Sequence, residues 1–338
     1  MSEGRGLRHG WVVVAGGLGL ALVVLPALLS LVDQSYPFRL AELSMIFVIL
    51  AAGLNLATGT AGLVSLGHAA FYAVGAYTAG LLSATYGVGL EVSLPASVLV
   101  TGGVAFLVAI PAIRLVRIFF TVATLSVGEI INLALLNWDD LTHGPMGLRG
   151  VPPMQLFGWD LSGRLATYYV IAVVTIAVVW GLHRLTHSYY GNALRALRED
   201  EQSAGAMGIN VAWMKIGVFS ISGGVAGAAG CLLAHSTGFI SPDMFQLDQS
   251  ILILTMVVVG GLGSVPGAVV GAFLLILAPE FTRAAGHYRT VLVGLVLYLS
   301  ILLMPKGFLS EGAALRFAHW MGVGRGRVED ERRMVGWE

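Results

Sequence analysis

Apolar residues in this chain come in runs of bilayer length. They occupy residues 11–32, 38–54, 66–85, 92–113, 118–136, 165–185, 216–237, 250–259, 268–278 and 290–304. A helix needs about 20 mostly apolar residues to cross a bilayer. Eight of the ten runs are of that order, and 250–259 and 268–278 are short. The expected fold class is therefore all-α: a polytopic transmembrane helical bundle of about ten spans, including short broken helices. Only 11% of the 338 residues are charged, against about 25% in soluble proteins. A soluble enzyme and a disordered chain are excluded on that ground. With 19 basic and 19 acidic residues, no net charge attracts nucleic acid. The first run follows a short tail carrying Arg5 and Arg8. It is too long for a signal peptide and has no clean small-x-small cleavage site, so it reads as an uncleaved helix.

Positive charge orients the spans. With the N-terminus inside, fourteen of the Lys and Arg residues fall on the inside and five on the outside. Both termini are expected to be cytoplasmic. The chain then divides into an N-terminal tail (1–10), a membrane domain (11–309) and a C-terminal tail (310–338). Two hydrophilic loops are long, 138–164 outside and 186–214 inside. Cys231 lies alone in an apolar run and reads as a small packing residue.

Glycine is the second constraint, at 45 residues. Part of it has the spacing of close helix packing, as at Gly223, Gly227 and Gly271. Another part interrupts the apolar pattern twice, at Gly59-Thr60-Ala61-Gly62-Leu63-Val64-Ser65-Leu66-Gly67-His68 and at Gly260-Gly261-Leu262-Gly263-Ser264-Val265-Pro266-Gly267. Non-helical backbone at membrane depth must be buried in protein or line a wet cavity. Paired breaks in two halves of a transporter point to its pathway. The other reading is a pair of ordinary cytoplasmic turns.

Glu129 sits in the middle of the run 118–136. A carboxylate there costs about 3 kcal/mol on insertion scales unless it faces protein or water. Thr124, Ser126 and Asn132 form a polar stripe with it. The stripe reads either as a pathway wall or as a glutamate bonded to a neighbouring helix at a bend at Gly128. Glu42, His68 and His235 read as packed or interfacial residues. Relay groups of the kind that ion-coupled carriers need are otherwise sparse in the runs. A phosphate-binding loop needs Lys before Ser or Thr, but Lys215 precedes Ile216 and Lys306 precedes Gly307. His183 and His187 lack a nearby acidic ligand, so no metal site and no cofactor are expected in this chain. The energy for driven transport would then come from another chain.

The loop from Gly191 to Asn210 reads as helical, with Asn192 as N-cap and Gly208 as stop. Glu201-x-x-Ala204-x-x-x-Gly208 resembles the EAA loop of bacterial ABC importer permeases. Gly53-Leu54-Asn55-Leu56-Ala57-Thr58-Gly59 through Phe71 resembles the branched-chain amino acid permeases of that class. So do Thr124-Leu125-Ser126-Val127-Gly128-Glu129-Ile130, Thr142-x-Gly144-Pro145-x-Gly147-Leu148, Val259-Gly260-Gly261-Leu262-Gly263-Ser264-x-x-Gly267 and Pro305-x-Gly307-Phe308. The likeness covers about residues 38–309 and favours the LivM branch over LivH. Two positions depart from the pattern: Arg117 in Arg114-Leu115-Val116-Arg117, where glycine is usual, and Ser203, where alanine is usual.

The resemblance implies a permease subunit in the bacterial or archaeal cytoplasmic membrane, with no ATPase site of its own. It implies a second, LivH-like permease, two cytoplasmic ATP-binding subunits that hold the ATP, and an extracytoplasmic solute-binding protein delivering cargo to outside loops such as 138–164. Arg198, Asp200, Glu201, Ala204 and Gly208 would couple to the ATPases. Asn55, Ser65, Gly67, His68, Glu129, Asn132, Gly261, Gly263 and Ser264 would line the translocation pathway. The cargo would be branched-chain amino acids, with urea, amides or other amino acids as alternatives on the same architecture. A stand-alone carrier or channel and an intramembrane enzyme using Glu129 or the two histidines are the rival classes.

Overall fold

The structure is a computed structural model that describes residues 35–112, 115, 117–281 and 294. The expected spans 11–32 and 290–304, the two tails, the closing Pro305-x-Gly307-Phe308 and the turn at Arg114 lie outside the described residues. In chain order come α1 (Ser35–Asn55), a π-helical turn (Leu56–Thr60), α2 (His68–Tyr86), α3 (Leu90–Ala112), α4 (Arg117–Asn137) and the short α5 (Asp139–Thr142). They are followed by β1 (Leu148–Arg149), β2 (Gln155–Leu156), β3 (Trp159–Asp160), α6 (Arg164–Thr186), α7 (Tyr189–Glu199) and α8 (Glu201–Ala206). The described part closes with α9 (Val211–Thr237), β4 (Phe239–Ile240), α10 (Leu247–Gly260) and α11 (Val265–Phe281). Among the described residues six helical stretches are long and apolar enough to cross a membrane: Tyr36–Thr60, Leu90–Ala112, Ile118–Asn137, Arg164–Thr186, Val211–Thr237 and Pro242–Gly260. This is a helical, multi-pass membrane protein.

Burial sorts these helices into a centre and a periphery. The apolar stretches of α1 and α9 are 83% and 78% buried, whereas that of α4 is 17% buried. Leu99, Leu107, Ile118, Phe119 and Val173 turn outward from α3, α4 and α6, as suits helices bathed in lipid or covered by another chain. The centre is packed through small residues. A Cβ on Gly75 or Gly230 would collide with the backbone of the facing helix, because α2 and α9 touch main chain to main chain. Gly223 and Gly227 bring α9 equally close to α3, in accord with their spacing. Gly271 presses α11 onto α10 at Met256 and Gly260. Between these seams, Phe219 of α9 receives Phe71 of α2 and Phe120 of α4 edge-on, at 5.4 and 5.3 Å between ring centroids. Cys231 is fully buried.

The loop 138–163 is tied to the helices at several points. β1 pairs with β4, Leu148 opposite Ile240. His235 at the top of α9 contacts the Pro152 carbonyl through Nδ1 (3.0 Å) and Ser93 Oγ through Nε2 (3.0 Å). Glu42 accepts from the Ser236 hydroxyl (3.1 Å). Glu42 and His235 are thus packed residues.

Candidate functional site

The first break begins where α1 loses its register. Asn55 is fully buried, and the helix widens into the π turn. Gly62 at φ +75° then turns the chain, and residues 62–67 run on without helical structure. Their backbone is bonded both locally, with Leu63 N donating to the Ala57 carbonyl (2.9 Å), and to other elements. Leu66 N donates to Thr124 Oγ1 (3.2 Å), Thr121 Oγ1 donates to the Val64 carbonyl (3.1 Å), and Ala69 N donates to Ser250 Oγ (2.9 Å). Ser65 Oγ accepts from Gly67 N (3.4 Å). This is the condition under which irregular backbone survives in a membrane. Helix α2 starts inside the bundle, with His68 buried beside Phe71.

The second break is tighter. Gly261 and Gly263 take φ +121° and +85°, which a residue with a Cβ rarely adopts. Ser264 Oγ accepts from Gly267 N (3.2 Å). The two breaks then meet. Asn55 Oδ1 accepts from Gly263 N at 2.8 Å, across 208 residues of sequence. Gly59 lies against the Gly263 backbone, and the Arg198 guanidinium of α7 donates to the Gly59 carbonyl. Three stretches remote in sequence thus share one junction.

The loop 186–214 folds as two helices rather than one. Ser188, not Asn192, caps α7: its hydroxyl accepts from Gly191 N (3.4 Å). Leu194 and Leu197 bury the inner face. Asp200 breaks the run in an extended conformation and caps α8, accepting from Gln202 N (2.8 Å) and the Ser203 hydroxyl (2.8 Å). The Ser203 hydroxyl, then the backbone N–H groups of Ser203 and Gln202, hold this exposed carboxyl below its ordinary range. The cap is therefore intact at neutral pH and fades only as pH falls through that lowered value. Ala204 is buried and seats α8, while Met207 stands 84% exposed. Gly208 at φ +85° ends the turn.

Glu201 pairs with Lys215 Nζ at 2.7 Å. The lysine is buried in the foot of α9 and the glutamate is about one-third exposed. Removing one partner of such a pair costs most when the buried charge is the one left behind. Glu201→Gln is expected to destabilise by about 1–3 kcal/mol, and Lys215→Met by much less. Thermal unfolding of the detergent-solubilised protein checks this, and equal losses contradict it.

Glu129 and Asn132 lie one turn apart on α4. Among the described residues Glu129 bonds to no side chain and is exposed. Gly128 packs on Gly67. Asn132 is 8% exposed, and its Oδ1 has no hydrogen-bond partner. With Ser250, Leu66, Phe245 and Leu247 the two line a small gap between α2, α4 and α10.

A family described as branched-chain amino acid transport system / permease component matches residues 36–304. The chain belongs to this family. Permeases of named systems are similar to it along most of its length. The high-affinity branched-chain amino acid transport system permease protein LivM of Escherichia coli is 34% identical over 86% of this chain and 74% of its own. LivH of the same organism is 26% identical over 81% and 94%. The autoinducer 2 import system permease protein LsrC of Yersinia pseudotuberculosis is 28% identical over 82% and 81%. No solved structure matches the chain.

In this permease the residues singled out from sequence fall into two groups. Asn55, Gly263 and Arg198 form the junction, with Gly261 and Ser264 shaping the second break and Ser65 shaping the first. Gly67 ends the first break and abuts α4, with His68 behind it. Glu129 and Asn132 stand apart on α4. Arg198 points into the membrane domain rather than outward with Gly205 and Met207. Ser250, Lys215 and Met207 carried no sequence signal of their role. Ser250 looked like the start of an ordinary span, and Met207 looked like loop.

Proposed function

We propose that this chain is the permease subunit of an ATP-driven ABC importer for branched-chain amino acids. The reading is carried by the 34% identity to LivM, which extends over 86% of the chain. The cargo is taken from that relative's name. On this reading the chain sits in the cytoplasmic membrane with both termini inside and pairs with a second permease. Two ATP-binding subunits on the cytoplasmic side hold the ATP, and an extracytoplasmic binding protein delivers the solute to the outer loop.

The loop geometry supports a division of labour. Gln202, Ser203, Gly205, Ala206 and Met207 are exposed on and just beyond α8 and form the docking face for an ATPase subunit. A helix with so low a profile fits a groove in a partner. Behind that face Ala204 seats the helix, Glu201 holds α9 through Lys215, and Arg198 holds the junction of the two breaks. Displacement of α7 and α8 by the ATPases therefore pulls on the central helix and on both breaks at once. The test is uptake of radiolabelled leucine into proteoliposomes holding the chain with its partner subunits and binding protein. Leucine uptake inhibited by isoleucine and valine is expected. Urea or amide uptake in place of leucine overturns the cargo.

A further inference from the structure

The buried start of α2 touches the first turn of α10. The start of α2 at Ala69 bonds to Ser250 in the first turn of α10 at 2.9 Å. Facing this contact from α4 are Glu129, twelfth of the twenty residues in the span Ile118–Asn137, and Asn132. The gap that these groups line has a volume of about 10 Å³, room for about one water.

Three features of the gap point to a ligand. Asn132, which lines the gap, is more than nine-tenths buried, and its Oδ1 has nothing to accept from. Buried polar atoms are almost always paired, and an orphaned one calls for a partner outside the chain. Glu129 is exposed on this chain's surface at mid-span. A charge there must face protein or a wet cavity rather than lipid. Ser250 Oγ accepts from Ala69 N and has its own proton left to give. The rest of the wall is apolar, from Leu66, Leu125, Phe245 and Leu247.

We propose that this gap is a transit site for a zwitterionic α-amino acid, with Glu129 and Asn132 Oδ1 receiving its ammonium group. The Ser250 hydroxyl donates to its carboxylate, and the leucines and Phe245 cover an aliphatic side chain. The chemistry is that of the site's own groups: two acceptors on one side, one donor opposite and grease between. The structure shows the site closed around one water's volume, so cargo enters when α4 and the head of α10 separate. Exposure of Glu129 leaves the open side toward a neighbouring permease. This assignment rests on the importer reading, and it places recognition in the permease in addition to the binding protein.

The experiment uses the complete importer. Leucine uptake by the wild type comes first, and its absence overturns the cargo reading and this site with it. Given uptake, equilibrium binding of tritiated leucine is measured on the importer without its binding protein. Isopentylamine, which keeps the ammonium and the branched chain, is expected to displace leucine. 4-Methylpentanoate, which lacks the ammonium, is expected to displace it at least tenfold less well. Glu129→Gln weakens leucine binding tenfold or more and removes the preference for the amine. Glu129→Asp recovers binding to within about threefold of wild type, and Asn132→Ala loses about three- to tenfold. A residue that only props up the fold would not move the amine-against-acid preference. Binding indifferent to both Glu129→Gln and Asn132→Ala overturns the site alone. Displacement by ammonium chloride as effective as by isopentylamine makes it a bare cation site and overturns it too. If Glu129→Gln fails to assemble, Glu129→Asp and Asn132→Ala decide.

Discussion

Replacing Gly59 by valine abolishes transport and lowers the thermal midpoint of the purified permease. Any side chain at this position runs into the Asn55 amide and the Gly263 backbone. Neither can retreat, because Asn55 Oδ1 and Gly263 N are bonded to each other. Overpacking a tight site costs about 1–3 kcal/mol, and a backbone obstacle puts Gly59 at the upper end. At about 2–4 °C per kcal/mol for a domain of this size, the midpoint falls by roughly 5–10 °C. Gly103 is the matched control: it lies on the outer face of α3 with nothing within 4 Å of an added Cβ. Gly103→Val is expected to melt with the wild type. A thermal-shift series in detergent checks the pair, and a wild-type midpoint for Gly59→Val contradicts the junction.

Ala204→Asp and Met207→Asp both remove the ATP hydrolysis that substrate-loaded binding protein stimulates, by more than tenfold, and they do so for different reasons. Ala204 is buried beneath α8, so aspartate there unseats the helix and lowers the midpoint as well. Met207 stands in the open, so aspartate there spoils the docking face and leaves the fold alone. ATPase assays on the assembled importer, with membrane insertion of each variant verified, check the loss, and the thermal midpoints separate the two. Normal stimulation in both variants contradicts the coupling role of this loop.

Much of this architecture is legible along the chain because lipid imposes a simple code. Apolar runs of bilayer length became helices wherever the structure describes them. Gly223, Gly227 and Gly271 became close contacts, because glycine spacing reports how near two backbones come. Both breaks were visible as glycine clusters. Their meeting was not, since the bond between Asn55 and Gly263 spans 208 residues and neither residue carries a local sign of it. The depth of the first break was hidden for a similar reason. Residues 61–67 look like a turn until Thr121 and Thr124 of α4 bond to their backbone. The loop 186–214 offered a signal that was there to use: Asp200 three residues before Ser203 is a good N-cap, and it marks the second helix that a single-helix reading from Asn192 passes over. Glu129 stands out along the chain with two roles open, and the structure adds that it is exposed and bonds to no side chain among the described residues.

We propose that this chain moves solute only with energy borrowed from other subunits. Leucine uptake into proteoliposomes tests it most directly. One set holds the complete importer with binding protein and ATP, and the other holds this chain without the ATP-binding subunits under the same leucine gradient. Uptake above the protein-free background is predicted only in the first set, and only with ATP. Saturable leucine uptake by the chain alone contradicts the account and makes it a stand-alone carrier.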